Sequence, residues 1–421
     1  MPSYAAFIGH QPHISLAELS ATVPGFTIRE IVQKTAVVFD ASEALPEGWL
    51  QKLGGTVVFA EQLEGKNSLG EIPALLLEQV KHVKGKTTFS LRTAGLSPRQ
   101  TSELYRTCKE HLKNNGKPSR YVGNERKPAL SVVLRSQGLL DGKHGCELTI
   151  IKLEKSLWVG VTRDAQDINA YTKRDMEKPV RDMTVGILPP KLAQVMLNFG
   201  VWLANGDAPR PLPPAPDAKK NAKIQTRPFI VLDPFCGTGV IPMECMLRGY
   251  ETLASDKAEK AVSGTQKNLE WVRKHWKILK TDVPADVWKQ DALKEFDLAK
   301  EKIPMPDVIV TETSLGPNLK ARPMAKQAQT LKSDNEKLQE DFLKNAAKSF
   351  PGVPLVVTWP AWYYSKGGLL LDRIWKTVEK LGYEAVLPPH ITSITGRPSL
   401  LYRRPDQFVA REIVLLRPKK K

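Results

Sequence analysis

The sequence predicts an α/β chain with a Rossmann-like sheet in its C-terminal half, preceded by an α+β region. Three observations carry this. One is a strand, Gly-turn, helix, strand unit at 229–256 (FIVLDPFCGTGVIPMECMLRGYETLASD). The second is the mixture of short strands and helices over the first 165 residues, which suits an α+β unit. The third is a cationic excess concentrated in that same N-terminal region.

Within 229–256, the apolar run from Phe229 to Leu232 reads as a buried strand. Asp233 follows, then the tight turn Pro234-Phe235-Cys236-Gly237-Thr238-Gly239 and an apolar helix from Val240 to Leu247, stopped at Gly249. A second strand begins at Glu251 and the unit ends at Asp256. Such a unit binds a nucleoside-bearing cofactor at the carboxyl ends of its strands. Gly237 and Gly239 let the backbone approach a ligand, and Asp256 suits ribose hydroxyls. A dinucleotide fingerprint would carry three glycines and set a helix N-terminus against a pyrophosphate. Here there are two, and the carboxylate of Asp233 would repel phosphate but suit the cationic amino-acid end of S-adenosylmethionine.

The chain of 421 residues is long enough for two or three domains, and its 41% hydrophobic and 25% charged content is that of a globular protein. No apolar run reaches the ~18 residues of a membrane span. The first residues, MPSYAAFIGHQPHISLAEL, lack a basic segment followed by an apolar core, so no secretory signal is expected. Cys108, Cys146, Cys236 and Cys245 show neither metal-ligand nor disulfide spacing, which fits a reducing cytoplasm. His10, His13 and His82 have no partner at ligand spacing, and no metal is expected.

The net charge is +17, which favours a polyanionic partner. Between residues 81 and 135 stand thirteen Lys or Arg against three Glu. That local excess reads as an electrostatic footprint for nucleic acid.

In chain order, residues 4–9, 26–32, 36–39 and 55–60 read as strands and 14–23 as a helix, with Ser15 and Glu18 at capping-box spacing. A second pattern begins at Lys86: a strand over 87–92, a helix opened by Ser97-Pro98 and running to about Asn114, and strands near 119–122, 146–153 and 156–162. The helix puts Leu104, Cys108 and Leu112 on one face and leaves Arg99, Arg106, Lys109 and Lys113 for solvent. Residues 161–200 hold a dense run, VTRDAQDINAYTKRDMEKPVRDMTVGILPPKLAQVMLNFG, in which Pro189 and Pro190 suit the first turn of a helix. Residues 204–227 are Pro- and Ala-rich and read as an exposed linker, with Lys219, Lys220 and Lys223 available to RNA. Strands at 308–311 and 355–358, paired strands near 384–387 and 408–416, and helices at 258–275, up to about Phe350 and at 369–381 complete a seven-stranded sheet.

The DPFCGTG stretch at 233–239 resembles the first motif of RNA methyltransferases that modify exocyclic amines. The 161–200 run, with Tyr171, Arg174, Asp175, Pro179, Arg181, Asp182 and the GILPPKLA segment, resembles the junction of the tRNA (guanine-10)-N(2)-methyltransferase family of archaea and eukaryotes, which has bacterial relatives. The basic region before it resembles the layout of a THUMP-type RNA-binding domain. Together with the FIGHQPHISLAEL start, the likeness spans most of the chain.

The resemblance implies an N-terminal α+β, ferredoxin-like domain at 1–80 and a THUMP-like domain at 81–165. A junction at 166–203, the linker at 204–227 and a methyltransferase domain at 228–421 follow. It implies S-adenosylmethionine held by Asp233, Phe235, Gly237, Gly239, Asp256 and Asp291, the last near the adenine. It implies tRNA or another structured RNA gripped through Arg92, Arg99, Arg106, Lys109, Lys113, Arg174 and Arg181, with room for a small activator subunit.

The family carries an acid or amide, two prolines and an aromatic after the fourth strand. An exocyclic amine is a poor nucleophile, and acceptors for its hydrogens localise the lone pair, while the aromatic stacks on the extruded base. Here the matching stretch reads Glu312-Thr313-Ser314-Leu315-Gly316, without prolines or aromatic. Glu312 is the expected acceptor and the Thr313 carbonyl the expected stand-in for a proline carbonyl, with Ser314 beside them. Trp359 or Trp362 is the candidate replacement for the stacking face. A relative that binds RNA without methyl transfer, and a DNA amino-methyltransferase, remain the alternatives.

Overall fold

The computed structural model describes residues 1–65, 68–182, 186–206, 228–299 and 302–419. Most of the expected linker, with Lys219, Lys220 and Lys223, lies outside them. The chain divides into two compact units, one of residues 1–19 and 23–172 and one of residues 20–22 and 173–421.

The first unit runs β1 (Ser3–Ile8), α1 (Pro12–Thr22), β2 (Thr27–Val32), β3 (Ala36–Asp40), β4 (Thr56–Gln62), α2 (Ile72–Val80), β5 (Thr87–Ala94), α3 (Pro98–Asn114), β6 (Ser119–Tyr121), α4 (Ser131–Ser136), β7 (Gly145–Lys152), β8 (Leu157–Ala165) and α5 (Ile168–Thr172). Its strands form one sheet in the order β2-β3-β1-β4-β8-β7-β5-β6. The boundary expected at residue 80 therefore falls inside one sheet: β4 pairs antiparallel with β8, joining the two expected modules edge to edge. Helix α3 begins at a capping box formed by Ser97 and Gln100 and buries Leu104, Tyr105, Cys108 and Leu112. Ser15 and Glu18 do not form the expected capping box. Proline at the start of α1 brings the helix in earlier, at Pro12. The Ser15 hydroxyl then donates to the Gly55 carbonyl at 2.9 Å, and Glu18 accepts from the amides of Gly54 and Gly55.

The second unit runs α6 (Pro190–Ala204), β9 (Ile230–Asp233), α7 (Val240–Leu247), β10 (Glu251–Asp256), α8 (Glu259–Trp276), β11 (Ala285–Lys289), β12 (Val308–Glu312), α9 (Ala325–Ser349), β13 (Leu355–Tyr364), β14 (Gly367–Leu369), α10 (Ile374–Lys380), β15 (Tyr383–Val386), β16 (Ser399–Tyr402) and β17 (Val409–Pro418). Seven strands lie in the order β11-β10-β9-β12-β13-β17-β15, with β14 and β16 added at β13 and β17. The first five are parallel and β17 is antiparallel to both its neighbours. This is the Rossmann-like seven-stranded sheet the sequence predicts.

Strand alternation sorts the helices onto two faces. Ile309 of β12 packs with Phe342, Leu343 and Ala346 of α9 and Ile374 and Val378 of α10. Val308 and Val310 point the other way, toward α6. A Cβ on Gly200 would lie 2.8 Å from Val310, so only glycine lets α6 settle this closely.

Strand β13 is longer than expected because the ten-residue β17 pairs with it from Leu355 to Trp362, beyond the end of β12. Trp359 and Trp362 thus belong to the strand and are fully buried in the core between sheet and α9. Neither is the stacking face expected for a substrate base.

Candidate functional site

The strand order reverses between β9 and β12, and at such a switch point the carboxyl ends of adjacent parallel strands open a crevice. Four acids occupy this edge. Asp233 ends β9, Asp256 ends β10, Glu312 ends β12, and Asp291 stands two residues beyond β11. Sequence separations of up to 79 residues collapse here because the strands are parallel neighbours.

The turn after β9 is tied in place from several sides. The Gly237 amide donates to Asp256 Oδ2 at 3.1 Å, and the Cys236 amide donates to the Ser255 carbonyl at 3.0 Å. Thr265 of α8 donates to the Gly237 carbonyl at 2.9 Å. Asn268 donates to the carbonyls of Thr238 at 2.7 Å and Val180 at 2.9 Å, and accepts from the Val180 amide. One side chain therefore fastens the junction segment to the Gly-turn. Gly237 and Gly239 both have positive φ, +52 and +82. A Cβ on Gly239 would press on Thr265 at 2.8 Å, whereas one on Gly237 would project into open space. That open space beside Gly237 is where a ligand can approach the backbone.

Asp233 is buried, accepts from the Thr311 hydroxyl at 2.7 Å and from the Phe235 amide at 3.2 Å. Burial pushes its carboxyl up to about 7, and the neighbouring charges of Asp256 and Glu312 push the same way. Asp256 also accepts from the Ala258 amide at 2.9 Å through Oδ1. Asp291 accepts from the Leu293 amide at 3.1 Å and is half-buried. Phe235 turns its ring edge-on to Phe342 of α9 at 5.1 Å, so its side chain anchors the turn to the core while its amide serves Asp233.

Glu312 is not a free carboxylate. Arg411 of β17 donates through Nε to its Oε1 at 2.5 Å, and both side chains are largely buried. Burial raises the Glu312 carboxyl and the guanidinium opposes the rise. Arg411 also donates to the Ile187 carbonyl at 3.4 Å, which brings the junction segment to the same acid. Sequence reasoning missed Arg411, since 99 residues separate it from Glu312 and nothing local marks it.

The loop after Glu312 is clamped by α9. The Thr313 hydroxyl donates to the Thr358 carbonyl at 2.6 Å and accepts from the Gln339 amide at 2.7 Å. Asn335, one helical turn earlier, donates to the Ser314 carbonyl at 2.7 Å and accepts from Gln339 at 3.0 Å. An amide pair at i and i+4 on one helix face thus fixes residues 313 and 314, which precede the first proline of the loop, Pro317. The Ser314 side chain is exposed.

Two of the expected RNA contacts are corrected. Arg92 is buried in the first unit, where its Nε donates to Glu147 Oε1 at 2.7 Å and its Nη2 donates to the Ala129 carbonyl at 2.6 Å. Arg174 is buried in the second unit and donates to Glu244 Oε1 at 2.7 Å. Both cations are consumed by internal carboxylates. Arg99, Lys109, Lys113 and Arg181 are exposed, and Arg106 is exposed but bridges Glu103 and Glu110 on its own helix. All four cysteines are free and buried, and burial pushes Cys108 and Cys146 up to about 12. Among the described residues, no group of three His, Cys, Asp or Glu is placed to hold a metal ion, and no helix is long and apolar enough to cross a membrane.

A scan against protein families gives no match, and a search of curated proteins gives none either. Solved structures with a similar course of chain include magnesium protoporphyrin IX methyltransferase from Synechocystis with bound S-adenosylmethionine. It is 14% identical, the match covers 59% of this chain and 94% of that one, and the TM-score is 0.32. An rRNA methylase from Streptococcus thermophilus is 16% identical over 46% of this chain and 89% of its own, with TM-score 0.27. Precorrin 8w decarboxylase from Methanobacterium thermoautotrophicum is 17% identical over 58% and 98%, with TM-score 0.30. At these scores the fold reading rests on the strand order itself.

Proposed function

We propose that the chain is an S-adenosylmethionine-dependent RNA methyltransferase acting on an exocyclic base amine, the N2 of a guanosine in tRNA. The observation that carries this reading is the convergence of Asp233, Asp256 and Glu312 on one crevice, with Arg411 bound to only one of them. Burial drives Asp233 toward protonation, and the like charges of Asp256 and Glu312 add to the cost of ionising it. A cationic ligand relieves that cost. Dinucleotides and nucleoside phosphates would worsen it.

The residues present fit S-adenosylmethionine: Asp233 for the ammonium end, Asp256 for the ribose hydroxyls, Asp291 for the adenine amine and the open face of Gly237 for close backbone approach. When bound, that cofactor supplies an electrophilic methyl group. Glu312, with Oε1 fixed by Arg411, keeps Oε2 to accept a hydrogen from the substrate amine and direct its lone pair. The Asn335–Gln339 clamp holds the loop backbone so that no reorganisation is needed at that moment. The basic N-terminal region supports RNA as the substrate class.

A second reading, a cofactor- and RNA-binding relative without methyl transfer, is favoured by one observation: Trp359 is buried, and Trp362 lies beside Gly316 of the loop but is fully buried too, so neither presents a face to a substrate base. Incubating the protein with methyl-labelled S-adenosylmethionine and bulk tRNA separates the two. Label in tRNA that disappears in Glu312→Ala supports the enzyme. Tight tRNA binding with no label sinks it and leaves the binding protein.

A further inference from the structure

The first unit carries a second feature that the crevice does not use. A cleft of about 240 Å3 opens between α3 and β6, with Tyr105, Arg106, Lys109, Glu110, Tyr121 and Glu125 on its walls. Tyr121 is 44% exposed, on the last strand of the sheet. Its ring is backed by Tyr105 at 4.7 Å and Phe89 at 5.8 Å, both buried. Tyr105 is itself locked, since its hydroxyl donates to the Leu91 carbonyl at 3.1 Å and accepts from the Leu91 amide at 3.0 Å. An aromatic backed by fixed rings and still 44% exposed is a stacking platform with little entropy left to lose.

The charges around it are mixed. The Lys109 ammonium lies 5.9 Å from the Tyr121 ring centroid, and Arg106 is tied to Glu110 at 3.1 Å. A purely phosphate-binding patch would not place Glu110 and Glu125 on the wall. A nucleobase explains both signs, because its ring stacks, its exocyclic amines and ring N–H groups donate to carboxylates, and its phosphate meets lysine.

We propose that this cleft takes one unpaired nucleotide of a bound RNA, its base stacked on Tyr121 and its phosphate against Lys109. The proposal rests on the RNA reading above but not on methyl transfer. It makes the first unit a reader of single-stranded RNA rather than a general basic surface.

The test uses the full chain and a short single-stranded oligoribonucleotide carrying one 2-aminopurine, whose fluorescence falls on stacking, with filter binding of bulk tRNA alongside. Wild type should quench the probe. Tyr121→Ala should abolish the quench and weaken binding roughly tenfold, as loss of one stacked base does, while Tyr121→Phe keeps both. Lys109→Ala should keep the quench yet flatten the salt dependence by about one charge. Equal quenching and affinity in Tyr121→Ala overturns the proposal, as does an equal loss in Tyr121→Phe. If wild type binds tRNA but never quenches, the cleft fails while the RNA reading stands. If wild type binds neither RNA, the RNA reading falls with it.

Discussion

Arg411 holds Glu312 through a 2.5 Å bond from Nε to Oε1 within a largely buried pair, at the acid to which the proposed function gives the substrate amine. The pair determines how that acid is presented. Arginine fixes one oxygen and opposes the rise that burial imposes on the carboxyl, so a single side chain bears on both the geometry and the ionisation of Glu312.

Removing arginine alone strands that carboxylate. Breaking a buried pair costs about 3–5 kcal/mol, so Arg411→Ala should lower the melting temperature of the second unit by roughly 10 °C. Glu312→Gln with Arg411→Met should recover most of the loss, because neither leaves an unpaired charge. Thermal unfolding followed by circular dichroism checks both, and equal melting of Arg411→Ala and wild type would refute the structural importance of the pair.

On the proposed function, Asp233 should make S-adenosylmethionine binding depend on pH. Its carboxyl titrates at about 7 in the folded chain against an ordinary 3.8, so the folded state favours the protonated form. Its contribution to stability is therefore fully present below the ordinary carboxyl value and is lost as pH rises toward 7. Binding of a cation has the opposite sign, because the ionised form is the one that attracts it. S-Adenosylmethionine should bind about tenfold more weakly at pH 6 than at pH 8, with proton release on binding. Titration calorimetry in buffers of different ionisation enthalpy reads both, and in Asp233→Asn the part of the slope due to this group should vanish.

Arg92 tests whether sequence charge counts identify RNA contacts. Because its guanidinium pairs with the fully buried Glu147, Arg92→Ala should unfold the first unit more easily by about 3–5 kcal/mol. Arg99→Ala, by contrast, should leave the melting curve unchanged and weaken RNA binding. A denaturant titration beside a filter-binding assay distinguishes them.

These cases show what was legible in the chain and what was not. The Gly-turn, its two flanking acids and the positions of the strands along the chain could be read because each depends on residues adjacent in sequence. Glu312 could be placed at a strand end for the same reason. Its pairing with Arg411 could not, since only the antiparallel register of β17 against β13 brings position 411 to that edge. The burial of Arg92 and Arg174 is not legible either, because a cation in a basic stretch looks the same whether it faces solvent or a buried glutamate. The place of Trp359 and Trp362 inside a strand is hidden for a related reason: β13 continues past β12, and the partner that extends it lies about 50 residues away.

The amide clamp gives the sharpest test of how the stretch between Glu312 and Pro317 is positioned. Asn335 reaches the Ser314 carbonyl and Gln339 reaches the Thr313 hydroxyl, and the two amides bond each other. Each bond is worth about 1 kcal/mol to stability, so Asn335→Ala and Gln339→Ala should each melt only a few degrees lower. Neither side chain bonds Asp233, Asp256 or Asp291, so S-adenosylmethionine affinity should stay within about twofold. Methyl transfer should fall about tenfold or more, through kcat rather than KM, because a loosened loop no longer presents Glu312 and its neighbouring carbonyls at a fixed position. Gln339→Glu keeps the length but replaces the donor to Thr313 with an acceptor, and it should behave like Gln339→Ala. Equal kcat values in all three variants and wild type would show that the loop holds its shape without α9.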